Sequence, residues 1–131
     1  MTPALSALSV RQPWAGLICG GTKRYETRSW RTHRRGWIAI HASKRPTGDW
    51  PSGCIVAVAR LAACVRVEDI RDQLSARERE AGDYTDGRFA WRLEDVRVLK
   101  PPIPHAGGLS FWPVDPSVAR AIDRELDLER S

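Results

Sequence analysis

The sequence predicts an α+β fold, a small β-barrel of five or six strands flanked by short helices. Three observations carry this expectation. Apolar residues recur at period two in several short runs, the helical patterns are few and short, and Gly and Pro punctuate the chain between them. Helices do not alternate regularly with strands, which argues against a doubly wound sheet and for a small mixed barrel. With 131 residues, 42% of them apolar and 28% charged, the chain has the size of a single domain spanning 1–131. A chain of this length buries a core without disulfides or metals.

Taken in order, Leu5, Ala7, Leu8 and Val10 mark a first strand within 4–10. Pro13 then suits the first turn of a helix, where its missing N–H costs nothing. Trp14, Leu17 and Ile18 recur at i, i+3 and i+4 on one apolar face, and Gly20-Gly21 ends the helix by offering a left-handed cap. Tyr25 to Trp30 reads as a strand, and Arg31 to Gly36 as a basic turn. Trp37 to Ala42 is the clearest alternation, with Ile38, Ile40 and Ala42 on one face and Trp37, Ala39 and His41 on the other. The two strands are placed to pair as a hairpin, bringing His41 or Trp37 near the Glu26 and Arg28 face; register decides which.

Ser43 to Gly53 is a loop rich in Pro, Gly and basic residues. Cys54 to Val67 is apolar on both faces, as in a central strand or one curving around a barrel. Glu68 to Ala81 is charged and, with Val67, Ile70 and Leu74 at helical spacing, predicts a surface helix. After a polar loop at 82–87, Phe89, Trp91 and Leu93 alternate, and the parity then switches to Val96 and Val98, which predicts a bulge. Pro101-Pro102-Ile103-Pro104 is expected to stop that strand. Leu109, Phe111 and Trp112 follow a loop at 105–108, and Pro116 opens an amphipathic helix over Val118 to Leu128.

Charge is unevenly placed. Between Arg11 and Arg45 stand nine Lys and Arg residues and one acid, Glu26, so this segment carries +8 in a chain whose net charge is +5. A basic segment interleaved with aromatics suits a phosphate-bearing partner, since each neutralised phosphate releases counterions. Within it lies Gly21-Thr22-Lys23-Arg24-Tyr25-Glu26-Thr27-Arg28. In an extended chain Glu26 and Arg28 point the same way, with Lys23 just before them, which makes a compact cation–anion–cation group. On a plain surface such a pair is worth about 0–1 kcal/mol, so its meaning rests on context.

Cys19, Cys54 and Cys64 form no CxxC pair, and His33, His41 and His105 stand near none of them in a zinc pattern. Buried reduced thiols are expected, with no metal and no cofactor. No apolar run approaches the ~20 residues of a membrane helix. Residues 1–6 lack a signal-peptide layout, so the expected location is cytoplasmic, with no membrane partner.

The eight-residue stretch resembles the G-x-K-x-x-E-x-R signature of the ASCH domain, the activating-signal-cointegrator homology domain of the PUA-like superfamily. Leu8-Ser9-Val10-Arg11-Gln12-Pro13-Trp14-Ala15 resembles the segment before the motif in cointegrator-type members. Arg28-Ser29-Trp30, Trp37-Ile38-Ala39 and Pro51-Ser52-Gly53-Cys54 resemble later parts, so the likeness runs from Leu8 to Trp112. It implies a PUA-like barrel with a helix beside it, and a cleft where Lys23, Glu26 and Arg28 face solvent next to Gln12-Pro13-Trp14. It also implies nucleic-acid binding. Some relatives resemble RNA-cleaving enzymes or amidohydrolases acting on modified cytidine. Those amidohydrolases carry a hydroxyl residue where Glu26 stands, which argues against deacetylation of that type here.

Three functions follow as expectations. The first is a module binding RNA or DNA. In it Lys23 and Arg28 contact phosphate or a base edge, and Glu26 orients Arg28 or accepts from a base amino group. Arg11 and Gln12 lie beside them, while Arg31, Arg34, Arg35, Lys44 and Arg45 hold the backbone. Trp14, Tyr25 or Trp30 stacks on a base, and Trp37, Trp91 and Trp112 are left to the core. The second is a hydrolase on RNA or a modified nucleoside, with Lys23 and Glu26 as a base–acid pair and His41 as a further acid/base. The third is a small-ligand or protein-interaction barrel in which Glu26 and Arg28 are an internal pair.

Overall fold

The computed structural model describes residues 4–43, 48 and 50–128. Six strands form one sheet: β1 (Ser6–Val10), β2 (Tyr25–Arg28), β3 (Gly36–Ala42), β4 (Cys54–Arg66), β5 (Phe89–Pro104) and β6 (Phe111–Pro113). Their spatial order is β2-β5-β4-β3-β1-β6, with β1 and β3 parallel and the other neighbours antiparallel. The sheet curls into a half-barrel. Trp91 of β5 stacks on Phe111 of β6 with ring centroids 5.5 Å apart, although the two strands lie far apart in the sheet order.

Period two decides which residues fill the curl. Leu8, Val10, Ile38, Ile40, Val56 and Trp91 point inwards and form the main core. A short helix, α1 (Trp14–Cys19), inserts Ala15 and Ile18 into it. Ile18 is fully buried, which contributes about 1.5–3 kcal/mol by apolar transfer. The alternate residues, Ala7, Ala39, Ile55 and Val58, face the other way and are covered by Ile122 of the C-terminal helix α4 (Pro116–Leu126). Asp115 caps α4 by accepting from Ser117 and Val118 N–H, and Asp127 closes it in a left-handed conformation.

The hairpin expected between β2 and β3 does not form. β2 pairs with β5, Glu26 standing opposite Trp91, while β3 pairs with β1 and β4. β5 and β4 stand between the two strands in the sheet, so neither Trp37 nor His41 is paired beside Glu26.

The single surface helix expected over 68–81 is three pieces: α2 (Val67–Ile70), a 3-10 turn at Arg71–Gln73, and α3 (Ala76–Glu80). Its apolar anchors are real, for Val67, Ile70 and Leu74 pack around Tyr25 and Tyr84. Ser75, however, adopts extended dihedrals and its Oγ accepts from Glu78 N–H at 3.2 Å. The hydroxyl caps a new helix there, and that preference overrides the spacing.

The bulge is present. Asp95 and Val96 stand between Glu94, opposite Arg60, and Arg97, opposite Val58, and Asp95 has φ +50°. That turns Leu93 and Val96 onto the same core. The expected stop at the prolines is not observed, since β5 runs on to Pro104. Pro101 and Pro102 fall in the stretch between Val98 and Ile103 that has no partner in β4, so their missing N–H groups interrupt no ladder bond.

Candidate functional site

The cleft is built from the end of α1 outwards. Gly21 takes φ +84°, a conformation that costs glycine little, and reverses the chain after the helix. Lys23 N–H then donates to Leu17 O at 3.1 Å, which ties the backbone of the motif to the end of the helix. Two residues later β2 begins. Glu26 and Arg28 lie on one face of it, as alternation requires.

Arg28 clasps Glu26 Oε2 with Nε at 3.0 Å and Nη2 at 2.6 Å, and Nη2 also donates to Ser9 O at 3.0 Å. Lys23 is only 3% exposed; its Nζ donates to Ala81 O at 2.6 Å and stands 3.6 Å from Glu26 Oε1. Burial, its largest influence, pushes the Lys23 pKa below the ordinary lysine value, against the pull of Glu26. Position 82 packs closely on the Ala81 contact. A Cβ there would stand 3.1 Å from Lys23 Nζ and 3.0 Å from the Tyr84 ring.

Around this group opens a cleft of about 570 Å³, also lined by Arg11, Trp14, Trp30, Arg88, Glu80 and Asp83. Trp14 is half-buried, with Lys23 Nζ 5.9 Å from its ring. Trp30 is 42% exposed; the Arg28 guanidinium lies 5.6 Å from its ring, and its edge meets Trp91. Arg88 donates to Thr27 O at 3.1 Å and Asp83 N–H donates to Thr27 Oγ1 at 3.2 Å, so the loop after α3 is tied to β2 as the opposite wall. These residues escaped the sequence reading. Ala81 to Arg88 carries only turn signals, and nothing local says that it lies against β2.

Other expected site residues stand elsewhere. Gln12 is buried and both ends of its amide are engaged, the NH₂ donating to Pro51 O at 2.7 Å and the oxygen accepting from Gly16 N–H at 2.8 Å. Tyr25 points to the opposite face of β2, buried with Val67, Tyr84 and Ala90. Arg31 lies over the Phe89 ring, Arg34 over Phe111 with a bond to Ser6 Oγ, and Arg35 donates to Thr32 O. None of these three lines the cleft. Lys44 and Arg45 lie outside the described residues. Trp91 is fully buried, whereas Trp37 and Trp112 are partly buried against the outer core.

His41 is 1% exposed and off the cleft. Its Nε2 is 2.8 Å from His105 O, which only accepts, so Nε2 carries the proton; Nδ1, 3.1 Å from Ser9 Oγ, accepts from the hydroxyl. Burial holds its pKa below the ordinary 6.5. The unfolded chain therefore binds the proton first as pH falls through 6.5, and stability drops in that window. Thermal melts from neutral to mildly acid pH are expected to fall for the wild type and to fall less steeply for His41→Gln.

Among the described residues no group of His, Cys, Asp or Glu is arranged to hold a metal, and no helix is long and apolar enough to cross a membrane. Cys19, Cys54 and Cys64 are free thiols, Cys54 buried and the other two partly so.

Comparison with known proteins places this architecture. The chain is 28% identical over 143 aligned positions to human activating signal cointegrator 1 and 27% identical to the mouse protein. The alignments cover 91% of this chain and 24% of each relative, so the chain spans about a quarter of those proteins' length. The crystal structure of an ASCH protein from Zymomonas mobilis superposes with a TM-score of 0.65 at 18% identity, covering 92% of this chain and 94% of that one. A point mutant of the same protein gives the same score, covering 93% and 98%. At that identity the likeness speaks for the fold, a small α+β PUA-like barrel. The ASCH domain profile matches residues 8–103, from β1 through the cleft to the end of β5, and the chain belongs to the ASCH domain family.

Proposed function

We propose that the chain, acting as one module over 1–131, binds nucleic acid, RNA or single-stranded DNA, through the cleft around Lys23, Glu26 and Arg28. The observation that carries this reading is the meeting of buried and exposed cations with an exposed aromatic. Lys23, Arg28, Arg11 and Arg88 converge on one cleft whose edge is the half-exposed Trp30. The cations hold phosphate or an exposed base edge, and Trp30 offers a face for one base, worth about 1–3 kcal/mol where stacking occurs. Family membership supports the same reading.

The test is anisotropy of labelled single strands titrated with protein across a salt series. Affinity is expected to fall steeply with salt, and Arg28→Ala to weaken it by about tenfold or more, with Lys23→Ala behaving alike. Undetectable binding at low salt would end this reading. A hydrolytic reading draws on Lys23 lying buried beside Glu26, where burial lowers the lysine pKa and so raises the fraction of free amine that can accept a proton. In the same incubations, cleavage of the strand or release of acetate from acetylated cytidine, lost in Lys23→Ala, would put hydrolysis first.

A further inference from the structure

Lysine is scarce in this chain. Lys23, Lys44 and Lys100 are its three lysines, so 18 of its 21 basic residues are arginines. Where a phosphate has only to be held, the arginine fork serves at least as well and keeps its charge at any working pH. The cleft nevertheless has a lysine at its floor. Lys23 is buried, its Nζ donates to Ala81 O at 2.6 Å, and it stands 3.6 Å from Glu26 Oε1. Burial pushes its pKa below the ordinary lysine value, which raises the share of free amine. A desolvated amine opening on a cleft is the arrangement of a nucleophile towards a carbonyl carbon.

The neighbouring carboxylate narrows the class of carbonyl compound. Arg28 holds Glu26 Oε2 through two bonds, and Oε1 lies on the Lys23 side. When a carbonyl carbon is bonded to Nζ, the carbon next to it comes within reach of that oxygen, where a carboxylate can take its proton. Arg11 and Arg88 line the same cleft and suit flanking phosphates, and the exposed Trp30 suits a neighbouring base. A cavity of about 570 Å³ is within the roughly 300–1,000 Å³ of small-molecule sites, enough for one sugar unit. A DNA unit that has lost its base meets all of these conditions. Its opened sugar carries an aldehyde at C1′, protons at C2′ and a phosphate ester at C3′. An intact nucleotide offers no aldehyde.

We propose that the cleft captures abasic sites in single-stranded DNA and cleaves them by elimination, with Lys23 as nucleophile and Glu26 as base. This rests on the nucleic-acid reading and adds to it a substrate class and a reaction. The Lys23 amine attacks C1′, and the aldehyde oxygen leaves as water with one proton from solvent, so a cationic imine joins Nζ to the sugar. Glu26 Oε1 then takes a C2′ proton, and the pair from that bond moves towards C1′ and onto the imine nitrogen. The nitrogen returns the pair as a double bond forms between C2′ and C3′, and the C3′–O bond breaks with the phosphate keeping its electrons. Water hydrolyses the unsaturated imine, which frees the Lys23 amine and an aldehyde-ended strand, and Glu26 gives its proton to solvent. The atoms balance with water alone.

The experiment incubates the full chain with a single-stranded oligonucleotide carrying one abasic site, with sodium borohydride present. Borohydride supplies hydride to the imine and fixes it as a secondary amine. A protein–DNA adduct is expected, and none with the intact strand or with an abasic strand capped by methoxyamine. Proteolysis and mass spectrometry of the wild-type adduct should place the sugar on Lys23, so a poorly folded variant leaves the test intact. Without borohydride the strand should be cut at the abasic site to give a 5′-phosphate, and the cut should be lost in Lys23→Ala. In Glu26→Gln the adduct should persist while the cut is lost. No adduct, or one on Lys44, Lys100 or the amino terminus, overturns the inference, and salt-sensitive binding of the intact strand beside it leaves the nucleic-acid reading standing. An adduct on Lys23 without cleavage overturns the elimination. Equal trapping of deoxyribose 5-phosphate and the strand, with no salt-sensitive strand binding, overturns both the strand as substrate and the nucleic-acid reading.

Discussion

Replacing Trp91 with alanine is expected to lower the unfolding free energy by about 3–5 kcal/mol, the cost of a large aromatic deleted from a packed core. Trp91 is fully buried at the seam where the sheet curls. It stacks on Phe111 at 5.5 Å, meets Trp30 edge-on at 5.9 Å, and its Nε1 donates to Trp30 O at 3.3 Å. It also stands opposite Glu26 in the β2–β5 register. The deletion opens a void under both the seam and the cleft floor. Trp91→Phe keeps a ring against Phe111 but loses the bond to Trp30 and leaves a smaller void, so a loss of about 1–3 kcal/mol, below that of alanine, is expected. Denaturant melts of the two variants check this. A loss under about 1 kcal/mol for the alanine variant would show that the seam does not hold the fold.

Removing the Glu26 carboxylate as alanine is expected to cost about 3 kcal/mol or more at neutral pH, because it strands buried charge. Lys23 would keep only Ala81 O, and Arg28 only Ser9 O, with Lys23 3% exposed. The deficit has a pH signature. Lys23 already has its pKa held below 10.5 by burial, and Glu26 is the group that pulls it up, so losing Glu26 lowers it further. The unfolded chain binds the proton more tightly than the folded one in that interval, so stability rises as pH rises towards 10.5. Urea melts of Glu26→Ala at neutral pH and near the ordinary lysine pKa should therefore converge towards wild type at the higher pH. A loss below about 1 kcal/mol with no pH dependence would make the group an ordinary solvated ion pair.

Local rules made much of the cleft legible. Alternation put Glu26 and Arg28 on one face, Gly20-Gly21 marked the reversal after the helix, and the parity switch after Leu93 marked the bulge. Each depends on neighbours a few residues apart, which is where backbone sterics and period act. The basic segment was a weaker guide. Arg31, Arg34 and Arg35 are adjacent in sequence to the motif, yet they lie over aromatic rings or on backbone carbonyls away from the cleft.

Pairing across long stretches of chain was not legible. That β2 adds to β5 and not to β3 is settled by which apolar faces can be buried together when the sheet curls, a property of the whole core. The same choice brought Ala81, Asp83 and Arg88 against β2 and took His41 away to Ser9 and His105. So composition, period and turn chemistry determined the class of fold and the Lys23–Glu26–Arg28 group itself. Tertiary structure alone decided that the group is buried and what wall faces it, because burial and partner choice arise only when distant segments exclude water together.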